Sequence, residues 1–201
     1  MIRRLLTAAA DAAKFLPHVR IQQPRVQLYP DQDRNRARWY PDCVVTAATQ
    51  AGLDLGRYEI EEMGRPHEPP KFLPAGKMAV YVFTAPWAVL KVGMVYARNN
   101  ARYTHQHYNP DSCQSNLALS ILKDRGWPGP ALDRHSVGGW IRRNCRRDNI
   151  LLDADLGRAT VGNLEDWLIY HLEPRYEGGL FRRDRLSELR RSVRKHGWRF
   201  R

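Results

Sequence analysis

Two features of the sequence predict an α+β fold: a β-hairpin pattern near its middle and helical periodicity on both sides of that pattern. Residues 80–84 and 87–92 are rich in β-branched and aromatic residues, and only Ala85 and Pro86 separate them. Two such runs joined by a short turn predict a pair of antiparallel strands. Residues 149–154 form a third short apolar run. We therefore expect a three-stranded, mainly antiparallel sheet flanked by helices.

Length and proline content divide the chain into one domain and two extensions. The 201 residues, 43% of them hydrophobic, suffice for a domain with a buried core. Four prolines between Gly64 and Gly76 interrupt regular backbone pairing and indicate a linker. We predict a partly helical N-terminal extension over residues 1–72, a domain over 73–180 and a basic amphipathic helix over 181–201.

Apolar periodicity and capping residues place the helices in order along the chain. The predicted helices cover residues 3–16, 42–50, 97–108, 115–123 and 137–147, with another that begins near Gly162 or Asn163. Residues 17–42 follow neither a helical nor a strand period, so we expect an extended arm or loop there.

The charge of the chain favours a polyanionic partner. Its formal net charge is +12, and residues 173–201 carry half of that excess, with ten basic against four acidic residues. Lysine and arginine bind phosphates by releasing condensed counterions, which favours nucleic acid over an anionic membrane surface. Asp11 interrupts the apolar start too early for a signal peptide, and no later stretch is long enough to span a bilayer. A cytoplasmic location is the expectation.

The cysteines also favour a reducing compartment. There are three, at widely spaced positions, and no disulfide framework follows from them. A zinc site built from His105, His107, Cys113 and Cys145 is an open alternative, but the sequence lacks the closely spaced ligand pairs typical of zinc sites. Inert or buried thiols are the preferred interpretation.

Four motifs occur in a fixed order across residues 77–179. They are Ala79-Val80-Tyr81, then Lys91-Val92-Gly93 ten residues after Tyr81, then Arg102 on a predicted helix, and finally Asn163-Leu164-Glu165-Asp166-Trp167-Leu168. This arrangement resembles the GIY-YIG nuclease superfamily. Lysine in place of the second signature tyrosine resembles a variant found among restriction enzymes of that superfamily.

The resemblance implies a metal-dependent DNA endonuclease of the restriction type, or one associated with phages or mobile elements. By that resemblance, Arg102 stabilises charge on the phosphoryl group and Glu165 binds Mg²⁺, for which Mn²⁺ could substitute. Tyr81 is the preferred proton acceptor with Lys91 assisting, and the reverse assignment is open. Either group must have its pKa lowered to act near neutrality, and we expect nearby cations to lower it. The substrate is expected to be double-stranded DNA, and a homodimer is an open alternative to a monomer.

Several basic residues are candidates for phosphate contact. Arg98, Arg102 and His105 share one stripe of the helix predicted over residues 97–108. Which of His105 and His107 takes the place of a histidine common in the superfamily is open. The helix predicted over residues 137–147 places four arginines on its polar side, a set that we call the arginine ridge: Arg142, Arg143, Arg146 and Arg147.

Each candidate also has a structural interpretation. Lys91 could be a solvated lysine near a strand end, the arginines could form solvated helix faces, and Glu165 could interact with the dipole of a helix that begins just before it. Two alternative functions follow: a catalytically inactive nucleic-acid-binding protein of the same fold, or a structural or regulatory module that binds protein partners through the N-terminal segment.

Overall fold

The computed structural model describes residues 55–176 and 185–196, and these residues form an α+β fold around one antiparallel sheet. Its strands lie in the order β1-β4-β2-β3, and every neighbouring pair is antiparallel. The strands are β1 (Tyr58–Gly64), β2 (Lys77–Ala85), β3 (Ala88–Val95) and β4 (Arg146–Asp153). The helices predicted over residues 3–16 and 42–50 lie outside the described residues.

The predicted hairpin is confirmed as β2 and β3, and both strands are longer than expected. Their connection is a tight turn at Pro86 and Trp87, so Trp87 lies in the turn rather than in the second strand. Proline lacks a backbone donor and therefore suits a turn better than a strand. The pairing shifts by one residue after Phe83, which marks a β-bulge in β3.

The prediction of three strands is wrong by one, because β1 lies before the proline-rich linker and pairs with β4. Tyr58 and Ile60 pack against the core, whereas Glu59 between them is exposed, as expected for side chains that alternate along a strand. The prolines are in the connection from β1 to β2. The sheet therefore begins before the boundary predicted at residue 73.

Five α-helices occur in the described residues, and several of their boundaries differ from the sequence predictions. They are α1 (Asn100–Thr104), α2 (Leu117–Lys123), α3 (Val137–Asn144), α4 (Gly157–Leu172) and α5 (Arg185–His196). Helix α1 gives way to a 3₁₀ turn at Gln106–Tyr108. Helix α3 ends where Cys145 becomes extended, and β4 follows at once. Helix α4 begins at Gly157, earlier than predicted.

The sheet is covered on both faces. Helix α4 packs on one face against Val80, Val82 and Ile150. Helices α2 and α3 pack on the other face, against Tyr81 and Phe83. Neighbouring residues of β2 lie on opposite faces of the sheet, so this strand contributes side chains to both cores.

Helix α5 lies within the segment predicted as a basic amphipathic helix. Its Leu189 packs against the core on the α4 side of the sheet, and Arg190 forms an ion pair with Glu173 at 2.5 Å. Arg191, Arg194 and Lys195 are exposed. The helix thus presents an apolar side to the domain and a cationic side to solvent.

Candidate active site

Tyr81 lies at the centre of β2 and is fully buried. It pairs across the hairpin with Gly93 of β3, and a methyl group built on Gly93 would overlap the Tyr81 phenol. Its Oη accepts a hydrogen bond from Arg102 Nε at 3.1 Å. The glycine of the Lys91-Val92-Gly93 motif therefore lets the tyrosine lie across the neighbouring strand and meet the arginine.

Replacing Gly93 is expected to disturb this contact. Gly93→Ala should lower the free energy of unfolding by about 1–3 kcal/mol, because the buried Tyr81 ring must move to admit the methyl group. Gly162→Ala is the matched control: it lies in α4 with nothing near its Cβ position, and it should stabilise by about 0.5–1 kcal/mol. Urea unfolding of both variants measures the difference, and equal stabilities would refute this account of Gly93.

Arg102 is carried by α1, whose first turn is fixed by Asn99. The Asn99 side-chain oxygen accepts a hydrogen bond from the Arg102 backbone N–H at 3.3 Å. Arg98 lies on the turn before α1 and is exposed, and His105 is the exposed residue at its C-terminal cap. The predicted stripe of Arg98, Arg102 and His105 on one helix is therefore wrong, because the helix is only five residues long.

Lys91 is buried rather than solvated. It pairs with Phe83 across the hairpin and is 1% exposed, so the interpretation as a solvated lysine is wrong. Its charge contributes to lowering the pKa of His107, which places the two side chains in one electrostatic environment. A lysine held on the same sheet face as Tyr81 and Phe83 is costly to bury, which favours a specific role.

His107 also belongs to this environment. It is 2% exposed, and its ring lies 4.6 Å from the Tyr81 ring, centroid to centroid. Its Nδ1 accepts a hydrogen bond from the Leu117 N–H at 3.3 Å, which leaves Nε2 as the protonated nitrogen of the neutral ring. Within the described residues Nε2 has no hydrogen-bond partner. Burial holds the pKa of His107 well below its usual value, and the charges of Lys91, Arg147 and Arg102 lower it further.

A buried neutral histidine predicts a specific loss of stability in acid. Below a pH of about 6.5 the unfolded chain protonates His107 while the folded chain does not, so the free energy of unfolding falls by about 1.4 kcal/mol per pH unit. His67, whose pKa burial lowers to about 4, adds to the loss in the same direction. Denaturant unfolding between pH 6 and 5 should give a shallower pH dependence for His107→Gln than for the wild type. Identical slopes would contradict this assignment.

Glu165 lies on the buried side of α4 and is 2% exposed. Because α4 begins at Gly157, Glu165 is in its third turn, and the interpretation as a partner of the helix dipole is wrong. The charge of Glu165 also acts on Tyr81 and Arg102. It adds to the rise in the pKa of Tyr81, of which burial is the main cause. It likewise adds to the rise in the pKa of Arg102, of which Tyr81 is the main cause.

The protonation state of Tyr81 differs from the expectation. Burial raises its pKa above 10, and the nearby charges of Arg102 and Arg147 oppose this shift without overcoming it. The nearby cations therefore act in the expected direction, but burial outweighs them, and the pKa of Tyr81 is raised rather than lowered. Tyr81 holds its proton at neutral pH.

Only half of the predicted arginine ridge is on the surface. Arg142 and Arg143 are exposed on α3, but Arg146 and Arg147 belong to β4 because the helix ends at Asn144. Arg146 forms ion pairs with Asp148 at 2.8 Å and Glu62 at 3.2 Å. The expectation that all four form one phosphate-contacting surface is wrong, since a change from helix to strand resets which side chains share a face.

Arg147 is the largest departure from the sequence prediction. It is 0% exposed, and its guanidinium donates to Asn149 Oδ1 at 2.9 Å, Tyr108 Oη at 3.0 Å and the Tyr103 carbonyl at 2.7 Å. The rings of Tyr81 and Phe83 lie 5.8 and 5.1 Å from its central carbon. Arg147 thus links β4 to the end of α1, which carries Arg102. Sequence analysis missed this role, although the polar run Arg146-Arg147-Asp148-Asn149 before an apolar stretch is a visible signal.

The zinc and magnesium sites expected from the sequence require different ligands. Residues 55–176 and 185–196 contain no group of three or more His, Cys, Asp or Glu side chains positioned to hold a metal ion, and Cys145 is buried with its pKa raised to about 12 by that burial. The zinc alternative is therefore not supported. Mg²⁺ has other requirements, because it keeps several waters and binds one or two carboxylates together with substrate phosphates. Glu165 supplies one carboxylate of that kind, and it is 2% exposed.

In the part of the chain described, no helix combines the length and apolar character needed to cross a membrane.

Comparisons of the chain with protein-family models, curated proteins and solved structures give no match. Four residues from β2, β3, α1 and α4 form the candidate site, and we call them the candidate cluster: Tyr81, Lys91, Arg102 and Glu165.

Proposed function

We propose that this protein is a metal-dependent endonuclease that hydrolyses phosphodiester bonds in double-stranded DNA, with a GIY-YIG-like centre formed by the candidate cluster. The observation that carries the proposal is the contact between Arg102 Nε and Tyr81 Oη at 3.1 Å, with the Glu165 charge acting on both groups. These residues are far apart in sequence. Bringing polar and charged side chains together in a buried environment costs free energy, which favours a functional role for them.

Arg102 is suited to stabilise the charge that develops on the phosphoryl oxygens. It is the one member of the candidate cluster that is partly exposed, so a phosphate would reach the cluster from its side. Arg98 and His105 are exposed on either side of α1 and would make secondary contacts to the DNA backbone. A guanidinium binds phosphate with two parallel donors, which fixes the orientation of the reacting group.

Glu165 would hold Mg²⁺, or Mn²⁺ in its place. When bound, the ion would neutralise charge on the phosphate and polarise the bond to be cleaved. The carboxylate is buried on α4, so its orientation is set by helix packing rather than by solvent. Because the Glu165 carboxylate is held rigidly, we expect the metal site to be completed only when the substrate phosphate is bound.

Tyr81 and Lys91 are the two candidates for the base that accepts the proton of the attacking water. Tyr81 is fully buried and protonated at neutral pH, so it could accept the proton only after its pKa falls. Lys91 lies on the same face of the hairpin and is the other group within the cluster that could accept the proton. Lys91→Met and Tyr81→Phe variants distinguish the two by which of them abolishes the pH dependence of cleavage.

A second function is favoured by the burial of the cluster. Tyr81, Lys91 and Glu165 are almost inaccessible, and a protein that binds nucleic acid through its basic surface without cleaving it would need no access to them. In that case the net charge of +12 would carry the function, and the cluster would be structural.

Incubation with plasmid DNA separates the two functions. Supercoiled and linear plasmids, methylated and unmethylated, are incubated with Mg²⁺, Mn²⁺ or EDTA. The endonuclease proposal predicts cleavage with either metal, none with EDTA, and much slower cleavage by Lys91→Met. Lys77→Met is the matched control, since Lys77 lies on the same strand as Tyr81 but pairs with Asp153 at 2.8 Å. Gel retardation without cleavage under every condition would favour the second function.

A further inference from the structure

One row of directly paired residues crosses all four strands of the sheet. Its members are Glu61 in β1, Asn149 in β4, Tyr81 in β2 and Gly93 in β3. Residues paired directly across antiparallel strands lie on the same face of a sheet. Glu61 is therefore on the same face as Tyr81 and two strands away, which corresponds to about 10 Å between their Cα atoms.

Two consecutive residues of α1 form hydrogen bonds with two members of this row. Arg102 Nε donates to Tyr81 Oη at 3.1 Å, and Tyr103 Oη donates to Glu61 Oε2 at 2.7 Å. A helix of five residues has too few internal hydrogen bonds to be stable alone. The orientation of α1, and with it that of the Arg102 side chain, is therefore set by its contacts with the rest of the fold.

Glu61 also closes a circle of hydrogen bonds around Tyr103. Its Oε2 accepts from Asn149 Nδ2 at 2.7 Å, and Asn149 Oδ1 accepts from Arg147 Nε at 2.9 Å. Arg147 Nη2 then donates to the Tyr103 carbonyl at 2.7 Å, so both the side chain and the main chain of Tyr103 are fixed. We call these four residues the Glu61 network. Glu61 is its one carboxylate, and hydrogen bonds to a carboxylate are stronger than those to a neutral acceptor.

Packing alone does not fix Tyr103 in the same way. Its ring is 1% exposed and packs in a small apolar cluster with Val95 and Leu151. Such contacts are not directional, whereas a hydrogen bond is. Burial raises the pKa of Tyr103 and the hydrogen bond to Glu61 raises it further, so the phenol keeps the proton that it donates to Glu61.

We propose that Glu61 is a positioning residue for Arg102: through the Glu61 network it holds α1 so that the Arg102 guanidinium stays at Tyr81 and receives the substrate phosphate. The positioning is a property of the protein alone, and its consequence for cleavage rests on the proposed function. Misplacing a substrate-binding group by about 1 Å lowers a rate by up to about 100-fold, so a residue that touches no substrate has a large effect. Strand β1, which begins before the domain boundary predicted at residue 73, then contributes to the candidate active site.

Exchange of the Arg102 Nε–H with solvent, measured by NMR on the ¹⁵N-labelled protein without DNA, tests the positioning directly. Loss of the signal in Arg102→Lys assigns it. Tyr103→Phe removes the hydroxyl that binds Glu61 and keeps the packed ring. It should speed the exchange about 10- to 100-fold, the factor expected when a hydrogen bond to a charged acceptor is lost. Glu61→Ala should act in the same direction, and Glu61→Gln, which keeps an acceptor oxygen, should lie closer to the wild type.

Two controls separate positioning from a general loss of stability. Glu59 lies on the same face of β1, but it is exposed and its side chain forms no hydrogen bond with the described residues, so Glu59→Ala should exchange like the wild type. Arg175 Nε donates to Asp124 at 2.6 Å, outside the Glu61 network. Equal acceleration of the Arg102 and Arg175 signals in Tyr103→Phe would overturn the inference.

Single-turnover cleavage of an end-labelled duplex with Mg²⁺ measures the consequence for the proposed function. Tyr103→Phe should lower the maximal rate by about 10- to 100-fold and change the half-saturating DNA concentration by less than about twofold, because its effect is on the placement of Arg102. Glu61→Gln should recover most of the rate that Glu61→Ala loses.

The inference and the proposed function fail separately. If the wild type cleaves no duplex, the proposed function is wrong, and the exchange of the Arg102 Nε–H still decides whether Glu61 positions Arg102. If the wild type cleaves and the exchange is the same in Tyr103→Phe and Glu61→Ala as in the wild type, the inference is overturned and the proposed function stands. Faster exchange with an unchanged cleavage rate would refute the catalytic consequence of the positioning.

Discussion

Glu165→Gln is expected to lower the rate of DNA cleavage by about 10²- to 10³-fold while leaving the fold intact. Glutamine has the shape of glutamate, so the buried packing of α4 is preserved, but it lacks the negative charge that holds a divalent cation. The loss should appear in the maximal rate at saturating DNA. Single-turnover cleavage of an end-labelled duplex with Mg²⁺ measures it.

Asp166→Asn is the matched control for this substitution. Asp166 is the next residue of the same helix, is only partly buried and lies about 100° further around the helix axis. We expect its variant to cleave at close to the wild-type rate. Equal losses in the two variants would assign the effect to the charge of the helix as a whole and would remove Glu165 from the metal site.

Arg147→Ala is expected to lower the free energy of unfolding by about 3–5 kcal/mol. The substitution removes three hydrogen bonds to neutral acceptors and leaves a cavity among aromatic rings. Arg147→Lys should also destabilise the fold, because an ammonium cannot reach three acceptors arranged around a planar guanidinium. Urea unfolding at pH 7 measures both variants.

Arg143→Ala separates this structural role from DNA contact. Arg143 is exposed on α3, so its loss should change the free energy of unfolding by less than about 0.5 kcal/mol and affect only DNA affinity. If Arg147→Ala instead keeps full stability and weakens DNA binding alone, then Arg147 is reachable by the phosphate backbone and the buried arrangement described above is incorrect.

The parts of the fold that the sequence predicted have strong local patterns. The hairpin was visible because two β-branched runs meet at a proline, and the buried face of α4 was visible because its apolar residues recur at helical spacing. Tyr81 and Arg102 lie ten residues before and eleven after Lys91, and the hydrogen bond between Tyr81 and Arg102 is consistent with the site expected from that spacing.

The parts that the sequence did not predict depend on contacts between distant segments. The helical pattern of α3 predicts that Arg147 lies on the polar side of a helix. The chain instead enters β4 after Cys145, and strand pairing there turns Arg147 inward, where it contacts Tyr103 and Tyr108. Strand β1 has few apolar residues, so its place in the sheet depends on the partner strand rather than on its own pattern. The burial of Lys91 is likewise set by the helices that cover its face of the sheet, which no local window contains.

The proposed function requires residues from four elements to act as one phosphodiester-cleaving unit. The single-turnover cleavage rates of Tyr81→Phe, Lys91→Met and the double variant, on one end-labelled duplex with Mg²⁺, measure whether they do. Residues that act as a unit give losses that do not multiply, so the double variant should cleave within about tenfold of the slower single variant. Losses that multiply, or a wild type that binds the duplex without cutting it, would contradict the claim.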